Sequence, residues 1–327
     1  MRAIVYVVMF SSWAVLESAA FAQNRVLASG FDEGWAAPAW ENDSISLGLS
    51  AGWLTGESHE YVYDGGDKLS ELIWSMEHAY VINADLGFKL TPSLKLNLKA
   101  SVAGHIDNYM EDYDWLGLDY GVTDWTDRSQ HDDTELDHFG RVDLSIQYDF
   151  LRRQEASLGA LLGLRFASVQ WSAYGGSYVY TSDPSSTFRD DVGTIDDGVL
   201  GITYEQNFTT PYLGLAGEVS YDNISLRGSV LASPFSFIDS TDEHWLRELT
   251  VTDDFEPTGF FAAEAEASYR LNHYAQLFLN VAAERYAAAE GDAIYEYYGI
   301  GGSFDLDDGA GAEHENFQLS LGFRISN

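Results

Sequence analysis

The chain is 327 residues long and carries 17 Lys+Arg against 52 Asp+Glu, a net charge of −35, with no cysteine. That balance excludes a nucleic-acid binder, which needs Lys and Arg at phosphates, and favours basic peptides or divalent cations as partners. Without cysteine there is neither a disulfide nor a thiolate metal site, and 46% hydrophobic with 14% aromatic residues argues against a disordered acidic chain.

Residues 1–22 read as a secretory signal peptide. Arg2 supplies the positive charge, an apolar stretch runs from Ala3 to about Leu16, and Ala20-Phe21-Ala22 is a small-x-small cleavage site. A membrane anchor fits less well, because Ser11, Ser12 and Glu17 break the apolar run. Cleavage removes one base and one acid, so the charge stays at −35. No later segment has the apolar length of a membrane helix.

Residues 23–327 are a series of segments with period-two alternation. Leu94, Leu96, Leu98, Ala100 and Val102 alternate with Lys95, Asn97, Lys99 and Ser101, and Ile224, Leu226, Gly228 and Val230 with Ser225, Arg227 and Ser229. Phe317 to Ile325 repeats the pattern. One apolar face at period two means strands. Ten segments lie at about 44–62, 69–90, 94–111, 134–152, 156–182, 198–222, 223–242, 256–272, 274–290 and 312–326. Tight turns at Thr91 to Ser93, Arg152 to Glu155, Asp222-Asn223 and Asn272-His273 alternate with long acidic stretches at 112–133, 183–197, 242–255 and 291–311. The first loop, near Asp64 to Asp67, is the short exception. An even number of antiparallel strands with this asymmetry predicts a ten-stranded antiparallel transmembrane β-barrel, all-β, with long extracellular loops. A soluble sandwich would use shorter strands and two opposed apolar faces.

Two short strings carry chemistry. Asp112 with Asp114, and Asp242 with His244, are i, i+2 pairs that share a face in an extended strand. They follow the third and seventh segments, which run outward and lie nearly opposite in a ring of ten. A His–Asp couple facing a carboxylate couple can activate a water. The alternation, however, extends both pairs onto the lipid-facing phase. A one-residue shift such as a β-bulge is therefore required in each strand, with Pro234 as a place for one.

The chain resembles the omptins, outer-membrane endoproteases built on a ten-stranded barrel. The resemblance covers nearly the whole mature chain and rests on Glu60 to Tyr63, Met110 to Trp115, Trp125 to Thr134, Gly175 to Tyr180, Phe188 to Asp191 and Asp242 to His244. It implies a Gram-negative outer-membrane location with the active site facing the exterior, and an aspartic-type endopeptidase without a covalent nucleophile. Asp242 would orient His244 as general base, and Asp112 with Asp114 would hold the water. Glu60 matches the acidic floor of a pocket for a basic residue, and the second acid of that pocket aligns with Ser240, next to Asp239. Ser129 and His131 take a supporting role in loop structure. The basic lipopolysaccharide-binding positions align with Ser168 and Asn207, with Arg165 nearby, so lipopolysaccharide dependence is not carried over. No other cofactor is expected. The expected partners are basic peptides or proteins and outer-membrane lipids, with a monomeric barrel.

Other readings remain. A binding or structural barrel, an adhesin or small pore, would use the acids only to solvate its loops. A lipid-modifying barrel would place a Ser or His near the membrane plane. Surface acids most often solvate. Asp305, Asp307 and Asp308 lack the spacing of a calcium loop and read as a solvated loop. The six remaining histidines, from His59 to His314, show no zinc spacing.

Overall fold

In the computed structural model, residues 44–104 and 107–327 are described, and the expected signal peptide lies outside them. Twelve strand segments follow one another: β1 Ile45–Asp64, β2 Asp67–Thr91, β3 Leu94–Ala103, β4 Asp107–Asp114, β5 Asp127–Arg152, β6 Ala156–Tyr180, β7 Asp191–Tyr221, β8 Ile224–His244, β9 Leu249–Phe255, β10 Thr258–Arg270, β11 Ala275–Tyr297 and β12 Ser303–Ser326. β3 and β4 both pair with β2 and β5, so they are two halves of one barrel strand. β9 and β10 both lie between β8 and β11 and form another. The result is ten antiparallel barrel strands, as expected. β1 pairs with both β2 and β12, and the sheet therefore closes. Closure leaves no backbone edge for lipid to desolvate.

The outward face carries an apolar belt. It runs over Ile45 to Trp53, Tyr80 to Leu90, Val142 to Phe150, Leu158 to Phe166, Leu213 to Tyr221 and Phe317 to Ile325. Each stretch approximates the ~9–11 residues a tilted strand needs to cross the hydrocarbon. The strands continue past this belt, beyond what the alternation predicts. Residues outside strands on that side shrink to 115–126, 181–190, 245–248 and 298–302, and Asp305, Asp307 and Asp308 lie in β12 rather than in a loop. Above the lipid no face need be apolar, so the ladder goes on while the hydrophobic signal stops. At the first hairpin, Gly65 and Gly66 take φ of 58° and 89°, a left-handed pair open to glycine at little cost.

Two layers fill the lumen. Toward the tight turns lies an ion-paired layer. Arg165 joins Asp143 at 2.9 Å and Glu284 at 2.6 Å, Arg141 shares Glu284 at 3.0 Å, and Arg324 holds both oxygens of Glu266 at 2.6 and 2.8 Å. Arg165 thus points inward and is no outer-surface base. A cavity of about 370 Å³ among these groups lies far from the mouth and its acids. Above it is an aromatic waist of Phe208, Phe260, Tyr286 and His314, with ring centroids of Phe208 and Tyr286 4.2 Å apart and of Phe260 and Tyr286 4.8 Å apart. Tyr286 and His314 are essentially inaccessible. The waist separates the lower lumen from the mouth.

Candidate active site

The predicted phase shifts exist. In β8 the inward residues are Ser225, Leu231 and Ser233 below Pro234, but Ser236, Ile238, Ser240 and Asp242 above it, while Pro234 and Phe235 both face out. The register jumps across the same point in both neighbouring ladders. Pro234 has no N–H to offer the ladder, and Ser233 Oγ caps the kink by accepting the Phe235 N–H at 3.0 Å. On the opposite wall, Ser101 faces in from β3, yet Asn108 and Met110 face in from β4. β2 makes the matching shift where Glu77 and His78 are both exposed between buried Met76 and Ala79. The Asn108 carboxamide closes that bulge by accepting the Glu77 N–H at 3.0 Å. One extra residue in each strand turns both pairs inward.

The structure brings Asp112, Asp114, Asp242, His244 and Glu60 to one cleft at the barrel mouth, above the lipid belt. Asp242 is fully buried, and His244 Nε2 stands 2.5 Å from its Oδ2. That approach is a close contact without hydrogen-bond alignment, and the Glu60 carboxyl lies within hydrogen-bonding reach of Asp242. Asp112 accepts a hydrogen bond from Ser70 Oγ at 3.2 Å. His244 lies close enough to Asp112 for its charge to favour that carboxylate, so the two pairs do face each other. Glu60, 5% exposed, accepts from Trp74 Nε1 at 3.4 Å. The Trp74 ring is stacked on Tyr204 with centroids 5.5 Å apart, and both rings are fully buried.

Electrostatics set the protonation. Burial, and then Asp114, push Asp112 up to about 7, and burial raises Asp114 to about 6. Burial followed by Asp242 and Asp253 holds Glu60 well above the carboxylate range, and burial with Asp253 does the same to Asp242. Burial and the cation of Arg247 keep His244 below its ordinary value, so the imidazole is neutral at pH 7. A neutral His beside carboxylates that share protons is an acid–base site.

Other expected residues fall elsewhere. Asp239 is not brought to the cleft: it is exposed on the outer wall, where Asn207 Nδ2 donates to it at 3.2 Å. Its odd number places it out of phase with Ser240 and Asp242. Ser129 and His131 sit in strand β5 rather than a loop, buried, with Ser129 Oγ 3.0 Å from His131 Nε2 and Ser129 opposite Asp112. No carboxylate orients the other His131 nitrogen, so this pair lacks the third member of a nucleophilic triad. Sequence reasoning missed Trp74, Tyr204 and Asp253. Asp253, on β9, is 3% exposed and accepts from Ser240 Oγ at 2.6 Å. No group of three His, Asp or Glu side chains among the described residues has the geometry to hold a metal.

A family model described as the Omptin family matches residues 41–326. Protease 7 of Escherichia coli K12 is 29% identical over 291 residues, 87% of this chain and 90% of its own length. The plasminogen activator of Yersinia pestis is 28% identical over 287 residues, 86% of this chain and 89% of its own length. The crystal structure of outer membrane protease OmpT from Escherichia coli superposes with a TM-score of 0.83 at 28% identity, covering 90% of this chain and 99% of that one.

Proposed function

The chain belongs to the omptin family and is an outer-membrane protease of a Gram-negative bacterium; from that premise we propose that it cleaves peptides beside a basic residue by His–Asp activation of a water. The observation that carries this reading is the neutral His244 held by buried Asp242 across the cleft from Asp112 and Asp114. With Nε2 turned to Asp242, Nδ1 is the nitrogen free to take a proton. A water between it and the aspartate pair loses that proton to His244 as its oxygen attacks the scissile carbonyl. Asp242 stabilises the resulting imidazolium, which then gives the proton to the leaving amine. Asp112 and Asp114 orient the water, and because like charges crowd there they titrate as a coupled pair.

Glu60 supports the basic preference. It is a buried carboxyl with no ion pair to a described Lys or Arg, His244 being the base within its electrostatic reach, and it packs on the buried rings of Trp74 and Tyr204. A cationic side chain entering there relieves its desolvation cost. The outer wall at Ser168 and Asn207 neighbours Glu205 and Asp239, so this reading requires no lipopolysaccharide phosphate at those positions.

The test is turnover of an internally quenched peptide with Arg before the scissile bond. His244→Ala should lower kcat by ~10²–10⁴-fold while the protein keeps the heat-resistant mobility of a folded barrel. Unchanged kcat in the folded variant would remove His244 from the mechanism.

A further inference from the structure

Ser240 and Asp253 stand directly opposite each other in the β8–β9 ladder, both facing the cleft. Ser240 Oγ donates to Asp253 Oδ2 at 2.6 Å, whereas Asp253 Oδ1 is buried and accepts no hydrogen bond among the described residues. The groups within its electrostatic reach are Glu60, Asp242, Tyr204 and Tyr295. None is a base, and Asp253 has no ion pair with a described Lys or Arg. A carboxylate 97% removed from solvent, half satisfied and surrounded by other acids, is costly. The fixed Oδ2 holds the group in one orientation, which leaves Oδ1 to whatever enters above Glu60.

We propose that Asp253 is a specificity-determining residue, supplying, together with Glu60, the second carboxylate that receives the cationic side chain before the scissile bond. This rests on the reading of the Glu60 pocket as the seat of a basic residue. Ser240 acts as its positioning residue, fixing one oxygen so that the other points into the pocket. Directly opposed residues on antiparallel strands hold their Cβ atoms ~4.5–5.5 Å apart. Exchange of the two side chains across the ladder therefore keeps a carboxylate and a hydroxyl in the same small space.

The experiment compares kcat/KM on peptides with Arg or its neutral isostere citrulline before the scissile bond. Asp253→Asn should lower the Arg-to-citrulline ratio ~10–100-fold, the loss of one charge-assisted contact. The exchanged double variant, Ser240→Asp with Asp253→Ser, should recover most of the ratio. If Asp253→Asn leaves the ratio intact while Glu60→Gln collapses it, Asp253 is overturned and the pocket stands. If the wild type shows no preference for Arg, the pocket reading fails and Asp253 falls with it. Failure of the double variant to recover a ratio that Asp253→Asn has lost would overturn the exchange argument.

Discussion

Acidification should switch this protease off near neutrality rather than in the ordinary carboxylate range. Asp112 is pushed from 3.8 to about 7 by burial and then by Asp114, which itself lies at about 6. A displacement of ~3 units is ~4 kcal/mol against ionisation, an upper figure because Asp112 still meets solvent through the cleft. With a value near 7, only ~10% of Asp112 is ionised at pH 6 and ~1% at pH 5. His244 is shifted downward by burial and by Arg247, so its own protonation lies below its ordinary value. Hence kcat/KM should be flat above neutrality and fall about tenfold per unit below pH ~6.5. Asp114→Asn removes the like charge, lowers the value of Asp112 and moves the limb to lower pH, at a reduced plateau. The assay is a kcat/KM profile from pH 4.5 to 8.5 at constant ionic strength on folded barrel. An acid limb centred near ~4, the value of an unperturbed carboxylate, would refute the reasoning, as would a limb that Asp114→Asn fails to move. The same shifts act on stability. The native state binds these protons more tightly than the unfolded chain, so unfolding free energy falls as pH rises from ~4 to ~7.

Two further outcomes test the architecture. Deleting Phe235 removes the extra residue of the β8 bulge and should turn Asp242 and His244 outward, leaving a closed barrel with turnover reduced to the level of His244→Ala; near-normal activity would mean that the bulge does not set the phase. The barrel should not conduct ions in planar bilayers, because Phe208, Phe260, Tyr286 and His314 fill the waist. Phe208→Ala with Tyr286→Ala should open a measurable conductance and cost at least ~3 kcal/mol in stability.

How much of this was legible in the sequence depends on which solvent each face meets. Where the outer face meets lipid, as along Leu94 to Val102 or Phe317 to Ile325, the period-two signal gave the strand and its orientation. Above the belt, residues such as Asp132 and Asp133 lie in strand β5 without any apolar alternation, and they read as loop. The conflict of phase between Leu226 and Asp242 was visible, and Pro234 marked its resolution. The equivalent shift at Glu77-His78 had no Pro or Gly to mark it. Asp253 was invisible for another reason. Its partnership with Ser240 requires the register across the turn at 245–248, which no local pattern reports. Asp239, adjacent in sequence, points to the opposite side of the sheet for the same reason of period.

The net charge of −35 is also sorted in space, and that sorting explains how one barrel sustains both a folded interior and a reactive mouth. Lys95, Lys99, Arg141, Arg165, Arg227 and Arg324 lie in the lower lumen, each within 3.6 Å of an acid. There the ions satisfy one another, as groups removed from water must. Above the aromatic waist the cleft acids Glu60, Asp112, Asp114, Asp242 and Asp253 form no ion pair with a described Lys or Arg; they contact hydroxyls, an indole and one imidazole, and Arg247 acts on Asp112, Asp114 and Asp242 only from a distance. Their mutual repulsion would lower stability in a small soluble core, but here ten strands closed by backbone hydrogen bonds hold the wall together. The uncompensated charge then serves two ends at once. It raises the field that draws a basic peptide to the mouth, and it keeps the aspartates poised to exchange protons near neutral pH. A base placed among these acids, for instance Ser240→Lys, would relieve the repulsion and occupy the seat of the substrate's cation. Such a variant should gain thermal stability and lose cleavage of Arg peptides together, whereas a gain in stability with cleavage intact would show that the mouth's acidity is incidental to binding.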